Sequence, residues 1–306
     1  MSIAVAALYQ FKPQKMTESL RQSIYDCCLA NNVLGTLLLA DEGINGTISG
    51  ERGGLEIVAA FLAQSGFDAM ELKYSYADQD PFLRLKVLWK TEIVTLGQDV
   101  DPCMLVGEYV ETSDWNDLIT QDDVLLVDTR NNYEYELGTF KGAQNPNTEC
   151  FREFPRYVSG IDRSKFKRVA MFCTGGIRCE KASSYMLQVG FEVVYHLKGG
   201  ILKYLEEVDA AHSLWEGDCF VFDRRVAVGH GLELSDLGQC YACRRALTKV
   251  DMLHENYVKG VSCHRCVHIT SKERQASFTE RQKQVELAVL RHSKHIGARV
   301  PSSAQE

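Results

Sequence analysis

The chain has 306 residues, 45% of them apolar and 25% charged, with a formal net charge of −7. That length supports two or three domains with cores of their own. The acidic balance excludes a wholly basic nucleic-acid coat, though it leaves room for a local basic patch. No uninterrupted apolar run is long enough to cross a bilayer, and Met1-Ser2-Ile3-Ala4-Val5 lacks the basic start of a secretory signal. Eleven cysteines, an odd number with two Cys-x-x-Cys pairs, read as reduced thiols doing metal or redox chemistry in a cytoplasm, not as a disulfide framework.

In chain order, residues 3–10 read as a strand and 16–32 as an amphipathic helix through Leu20, Ile24, Cys27, Cys28 and Leu29. Leu34 to Ala40 is a strongly apolar strand. Asp41-Glu42-Gly43 turns the chain into a second strand, Ile44 to Ser49. A helix near 54–64 and extended segments at 69–76 and 83–96 complete a β-α-β-β-α-β order, which suggests a ferredoxin-like α+β sandwich. The two glycines and the asparagine of Asp41-Glu42-Gly43-Ile44-Asn45-Gly46 suit a tight hairpin. The functional alternative is a polar loop facing substrate.

Residues 97–121 read as a connector with a short helix near 113–119. Val124 to Val127 is a buried strand that ends in Asp128-Thr129-Arg130, and C-terminal strand ends are where α/β sheets place their sites. A helix near 149–159, the strand 169–172, a helix from Glu180, the strand 193–197 and a helix over 201–210 follow. This alternation specifies a parallel-sheet α/β domain.

Between strand 169–172 and its helix lies Cys173-Thr174-Gly175-Gly176-Ile177-Arg178. A strand feeding a glycine-containing loop into a helix N-terminus gathers backbone N–H groups at one spot. A cysteine placed there has its thiolate stabilised. A buried apolar cysteine is the plainer alternative, but it needs neither the glycines nor the arginine. Cys179, about one turn from Cys173, is either a second thiol able to resolve an oxidised one or a small residue at the helix start.

Near the C-terminus, Cys240-Tyr241-Ala242-Cys243 and Cys263-His264-Arg265-Cys266 are two knuckles nineteen residues apart. Their spacing matches a four-thiolate zinc site; redox-sensitive hairpins without metal are the alternative. His254, His264 and His268 are either substitute ligands or surface residues. Beyond Cys266, Lys272, Arg274, Arg281, Lys283, Arg291, Lys294 and Arg299 outnumber the acids, with Val285, Leu287, Ala288 and Leu290 suggesting a helix. Such a run is a solvated face or a phosphate-contacting surface.

Residues 122–210 resemble the rhodanese domain. The resemblance rests on Asp128-Thr129-Arg130 with Tyr135-Glu136-Leu137-Gly138, on Phe140-Lys141-Gly142-Ala143, on the six-residue loop from Cys173 and on Leu197-Lys198-Gly199-Gly200-Ile201. It implies that Cys173 carries a persulfide, that the amides of Thr174, Gly175, Gly176 and Ile177 stabilise it, and that Arg178 orients the loop or a substrate anion. Asp128 and Arg130 would hold the base of the site or form a structural ion pair. Related phosphatases place five residues between cysteine and arginine; this loop has four, which suits a sulfur or a small anion better.

Cys-Thr-Gly-Gly-Ile-Arg-Cys-Glu-Lys-Ala-Ser, with Glu42 to Gly46 and Arg130 to Glu136, is similar to a narrower group, the rhodanese-like tRNA uridine hydroxylases. That resemblance implies oxygen-dependent 5-hydroxylation of the wobble uridine, with tRNA as partner and dioxygen as co-substrate. No flavin or haem motif is present in the sequence. The expected organisation is 1–96 ferredoxin-like, 97–121 connector, 122–225 rhodanese, and 226–306 a small Cys-rich region with a basic tail. A thiosulfate-type sulfurtransferase is the rival reading, and a non-catalytic binding module a third.

Overall fold

Strand β1 (Ile3–Phe11) shows the pattern on which the N-terminal part is built. Ala4, Ala6 and Leu8 point into one core, while Val5, Ala7 and Tyr9 point to the opposite face. A computed structural model describes residues 2–293. Helix α1 (Glu18–Ala30) starts where the Thr17 hydroxyl accepts the Leu20 N–H. Strands β2 (Leu34–Ala40) and β3 (Gly43–Gly50), helix α2 (Arg52–Gln64) and strand β4 (Glu71–Ala77) follow.

The sheet order is β4-β1-β3-β2, extended at one edge by β5 (Leu85–Trp89), which runs parallel to β2. The first four strands pair antiparallel, as a ferredoxin-like order requires. The extended segment expected over 83–96 is a strand only over β5. Ile24, Cys28, Leu55, Val58 and Leu62 of the two helices close one sheet face over Leu37, Leu39, Ile44 and Ile48.

The 97–121 stretch holds the helix α3 (Thr112–Ile119) and also a short strand, β6 (Glu108–Val110), which pairs parallel with the edge of the second sheet. Strand β7 (Val124–Asp128), helix α4 (Asn132–Tyr135), strand β8 (Gly138–Phe140), helix α5 (Phe154–Ser159), strand β9 (Arg168–Phe172), helix α6 (Ile177–Gln188), strand β10 (Val193–Leu197), helix α7 (Gly200–Glu207) and strand β11 (Trp215–Gly217) follow. The parallel sheet has the order β6-β10-β9-β7. Both faces are covered, which explains its unbroken apolar strands. Leu126, Ala170 and Phe172 pack against Trp115, Phe140, Tyr204 and Trp215 on one side, while Leu125, Val127, Val169 and Met171 pack against Phe154, Val158 and Met186 on the other. The expected α/β class, with an α+β N-terminal part and a Cys-rich C-terminal region, is borne out.

Two compact units result, Met1–Ser235 and Asp236–Glu306. In the second, Cys240, Leu247, Cys263 and Cys266 make a small core, and α8 (Lys272–Leu290) carries the basic run. Lys294 and Arg299 lie outside the described residues. No helix among the described residues is long and apolar enough to cross a membrane.

Candidate functional site

Strand β9 delivers Cys173 to the head of α6, and the helix begins at Ile177, three residues before the expected Glu180. Arg178 and Cys179 are therefore first-turn helical residues and not the end of a loop. The N-cap position is Gly176, with φ of +106° and no side chain to cap the helix. Cys173 Sγ takes that place, accepting the Gly176 N–H at 3.1 Å. The carbonyls of Cys173 and Thr174 accept the N–H groups of Ile201 and Leu202 at 3.0 and 3.1 Å. The start of α7 thus holds the loop from behind. Gly200 (φ +66°) must be glycine for this approach, since a Cβ there would lie 2.5 Å from the Cys173 carbonyl oxygen.

Cys173 is fully buried, and burial by itself would raise its pKa. The Cys179 thiol, the Arg178 charge and the Cys179 and Gly176 amides overcome that, and the Cys173 pKa falls to about 5. The Cys179 thiol is pushed well above its ordinary value by burial and by the neighbouring Cys173. Its Sγ also lies 3.6 Å from Thr129 Oγ1. The proton of this pair therefore resides on Cys179. An unfolded thiol titrates near about 8.5, so between pH 5 and 8.5 the unfolded chain binds a proton that the folded one has released, and stability rises with pH. Relative to Cys173→Ser, the wild-type protein is expected to gain stability across that window and to lose the gain as pH falls through about 5. Denaturant melts of both proteins at the two ends of the window check this; an identical difference at both ends contradicts it.

Arg178 links the cysteine loop to α4. Its two terminal nitrogens grip Glu134 at 2.8 Å each, and Nη2 also donates to Thr174 Oγ1 at 3.1 Å. Glu134, on α4, is completely buried. Burial opposes its ionisation, but Arg178 prevails and holds the carboxyl below its ordinary pKa. Sequence reasoning passed over Glu134, although it stands at the Glu of the Asp-x-Arg-x-x-x-Glu spacing that starts at Asp128. Asp128 and Arg130 form a second, fully buried ion pair at the end of β7. Thr139 Oγ1 donates to Asp128 at 2.9 Å, and the Arg130 guanidinium lies 5.1 Å from the Trp215 ring centroid. This pair is sealed from solvent.

The second face of the N-terminal sheet roofs the loop. Val5, Ala7, Tyr9, Thr36, Leu38 and Thr47 line a cleft of about 670 Å³ with Cys173 on its floor. Lys73, Arg178, Lys203 and Arg225 supply positive charge, and Phe222, 60% exposed, stands at the wall. Tyr9 and Tyr109 both donate to Glu180 of α6, at 3.0 and 2.7 Å. The hairpin expected to be either structural or substrate-facing does both: its Glu42 end docks against α6, while Asn45 and Gly46 line the cleft. Glu42 and Glu92 each lie 2.7 Å from Nζ of the buried Lys181, and Glu42 also accepts the Ile93 N–H. Gly43 and Gly46 are steric requirements of the sheet, because a Cβ would strike carbonyl oxygens at 2.0 and 2.2 Å.

In the second unit, Cys240, Cys243, Cys263 and Cys266 bring four sulfurs within 4.8 Å of one another. The Cys240–Cys266, Cys243–Cys263 and Cys263–Cys266 separations are 3.8, 3.7 and 3.7 Å. A tetrahedron with zinc–sulfur bonds of about 2.3 Å has an edge of roughly 3.8 Å, so the donor set fits that ion. His264 Nδ1 lies 3.7 Å from Asp251 and outside the sulfur cluster. On α8, the Arg281 guanidinium lies against the Phe278 ring and donates to the Tyr241 and Gly260 carbonyls. Part of the basic run is therefore structural. All eleven cysteines are unpaired.

Residues 3–93 match the UPF0176 acylphosphatase-like domain and residues 111–207 the rhodanese-like domain. A tRNA uridine(34) hydroxylase of Teredinibacter turnerae is 52% identical over 298 residues, covering 96% of this chain and 93% of that protein. Among solved structures, a rhodanese-related protein from Thermoplasma volcanium is 22% identical over 33% of this chain and 92% of its own, with a TM-score of 0.28. The rhodanese-like domain of an Anabaena protein is 20% identical over 37% and 80%, with a TM-score of 0.30. With the cysteine loop, the roofing N-terminal sheet and near-complete coverage by such a relative, this chain belongs to the tRNA uridine(34) hydroxylase family.

Proposed function

We propose that the protein hydroxylates the wobble uridine of tRNA at C5, with dioxygen as co-substrate and Cys173 as the reactive group. The observation that carries this reading is the cleft, lined by Cys173, whose Sγ accepts the Gly176 N–H, and with a volume of about 670 Å³ that lies in the range that encloses a small-molecule-sized ligand. An anticodon base is unpaired and can be turned into such a site against aromatic and apolar walls. Tyr9, Tyr74, Phe82 and Phe222 offer those walls, and Lys90 and Lys203 offer charge for phosphates. Lys272, Arg274 and Lys283 on α8 supply further basic surface. The reduced cysteines fit a cytoplasmic setting. Arg178 serves as a loop brace through Thr174 and Glu134, and Asp128 and Arg130 as the support beneath. Cys179, carrying the proton, is the donor that keeps Cys173 ionised.

The test is mass spectrometry of tRNA nucleosides from cells deprived of this protein and of any parallel route to the same modification. Loss of 5-hydroxyuridine-derived nucleosides, restored by the wild-type chain, is expected; their persistence overturns the reading. Substantial thiocyanate formation from thiosulfate and cyanide by purified protein would favour the sulfurtransferase instead.

The four C-terminal thiolates would hold a structural zinc ion, which orders a segment with little apolar core. Elemental analysis of protein never exposed to chelator is expected to find one zinc per chain. Cys240→Ala is expected to open residues 236–293 to protease while residues 2–235 stay protected. First cleavage inside the rhodanese part contradicts this role.

A further inference from the structure

The N-terminal sheet does more than wall the cleft. Lys73, on β4, extends from the second face of that sheet to the cysteine loop, over a hundred residues away in sequence. Its Nζ donates to the Gly175 carbonyl at 2.6 Å and to the Gly199 carbonyl at 2.7 Å. These carbonyls belong to the two backbone segments that meet at the site: Gly175 lies within the loop, and Gly199 caps α7, whose N–H groups hold the loop from behind.

A trans peptide is planar, with its C=O and N–H pointing in opposite directions. A cation on the Gly175 oxygen therefore fixes the plane whose other end is the Gly176 N–H. That N–H is the one donated to Cys173 Sγ. The Tyr9 hydroxyl of the same sheet lies near Gly176, where an added Cβ would be 2.9 Å from it.

We propose that Lys73 is a positioning residue for the nucleophile: by holding the Gly175 and Gly199 carbonyls, the N-terminal domain aims the Gly176 amide at Cys173 Sγ. The roof of the site thus activates the cysteine as well as enclosing substrate. This deepens the function proposed above and rests on Cys173 being its reactive group. Lys73 has little else to satisfy it. Its side chain is 17% exposed, and burial lowers its pKa, with Glu71 at 3.7 Å giving partial support to the charge.

Other charged and titratable groups facing Cys173 are Arg178, Cys179 and Glu180 on α6, Glu134 behind Arg178, Tyr9 on β1, Glu71 on β4 and Lys203 on α7. These groups keep their identity in a Lys73 variant, so a shifted Cys173 titration reports the loss of Lys73, its carbonyl contacts together with its charge beside Cys173.

The experiment follows the ultraviolet absorbance of the Cys173 thiolate against pH, reading each protein against its own Cys173→Ser partner. Lys73→Met, similar in length and apolar, is expected to move the midpoint upward by about one pH unit, the order of one lost charge-assisted contact. Lys73→Arg, which keeps a cation within reach of the carbonyls, is expected to retain at least half of the wild-type lowering. A Lys73→Met titration superimposable on wild type overturns the proposal. So does a Lys73→Arg midpoint as high as that of Lys73→Met in a protein that still melts cooperatively. Should Lys73→Met not fold, Lys73→Leu, which equally lacks a donor, is judged by the same criterion. The readout needs no tRNA, so a failed hydroxylation assay and a failed Lys73 test are separate outcomes.

Discussion

Cys173→Ser is expected to lower 5-hydroxyuridine formation by at least about a hundredfold, because a serine hydroxyl in this setting stays protonated and is a far weaker nucleophile. The geometry makes the loss specific to the sulfur. The Gly176 N–H, the Cys179 thiol and the Arg178 charge all favour an anion at that atom, and an alcohol cannot supply one at neutral pH. The backbone around it is held by other contacts, namely the Ile201 and Leu202 amides on the loop carbonyls and Lys73 on Gly175. A serine variant should therefore keep its fold at neutral pH. The measurement is nucleoside mass spectrometry of tRNA from a deletion strain carrying the variant, with the amount of soluble protein matched to wild type. Near-wild-type modification would remove Cys173 from the reaction and leave the cleft to act by other groups.

Glu134→Gln is expected to be the most destabilising single change near the site. It leaves the Arg178 guanidinium buried without its carboxylate, and stranding one charge of a buried pair costs about 3–5 kcal/mol. For a unit of this size that corresponds to a fall in melting temperature on the order of 10 °C. Glu134→Gln combined with Arg178→Met should recover a large part of the loss, because both charges are then gone. The carboxyl is depressed in the folded state, so its contribution is complete above the unfolded value of about 4.3 and disappears as pH falls through the folded one. The gap between wild type and Glu134→Gln should accordingly close on acidification. A loss of less than about 1 kcal/mol in the single variant at neutral pH would show that Arg178 finds another partner.

The two buried pairs illustrate which contacts were legible in the sequence. Asp128 and Arg130 are two residues apart, and their pairing was anticipated as one of two alternatives. Arg178 was recognised from its place after the loop, but its partner is 44 residues upstream. Only the family spacing, with a Glu four residues after Arg130, could have pointed toward it. The four cysteines of the second unit were identified as a set from spacing alone, because two short knuckles define their own geometry. Arg281 was counted with a basic surface, and its capture by the Tyr241 and Gly260 carbonyls was not legible from charge.

What the sequence determined by itself was whatever depends on neighbours along the chain: the strand alternation, the Cys-x-x-Cys knuckles, and a cysteine placed at a helix start. Only the tertiary structure decided what surrounds that cysteine. Sheets have two faces, and period-two alternation says that a second face exists without saying what covers it. The face carrying Tyr9 and Lys73 came to lie over the cysteine loop, while Glu42 and Glu92 engaged Lys181 on the helix that follows. Each of these contacts spans roughly 90 residues or more, where pairing is set by how whole sheets pack and not by local spacing.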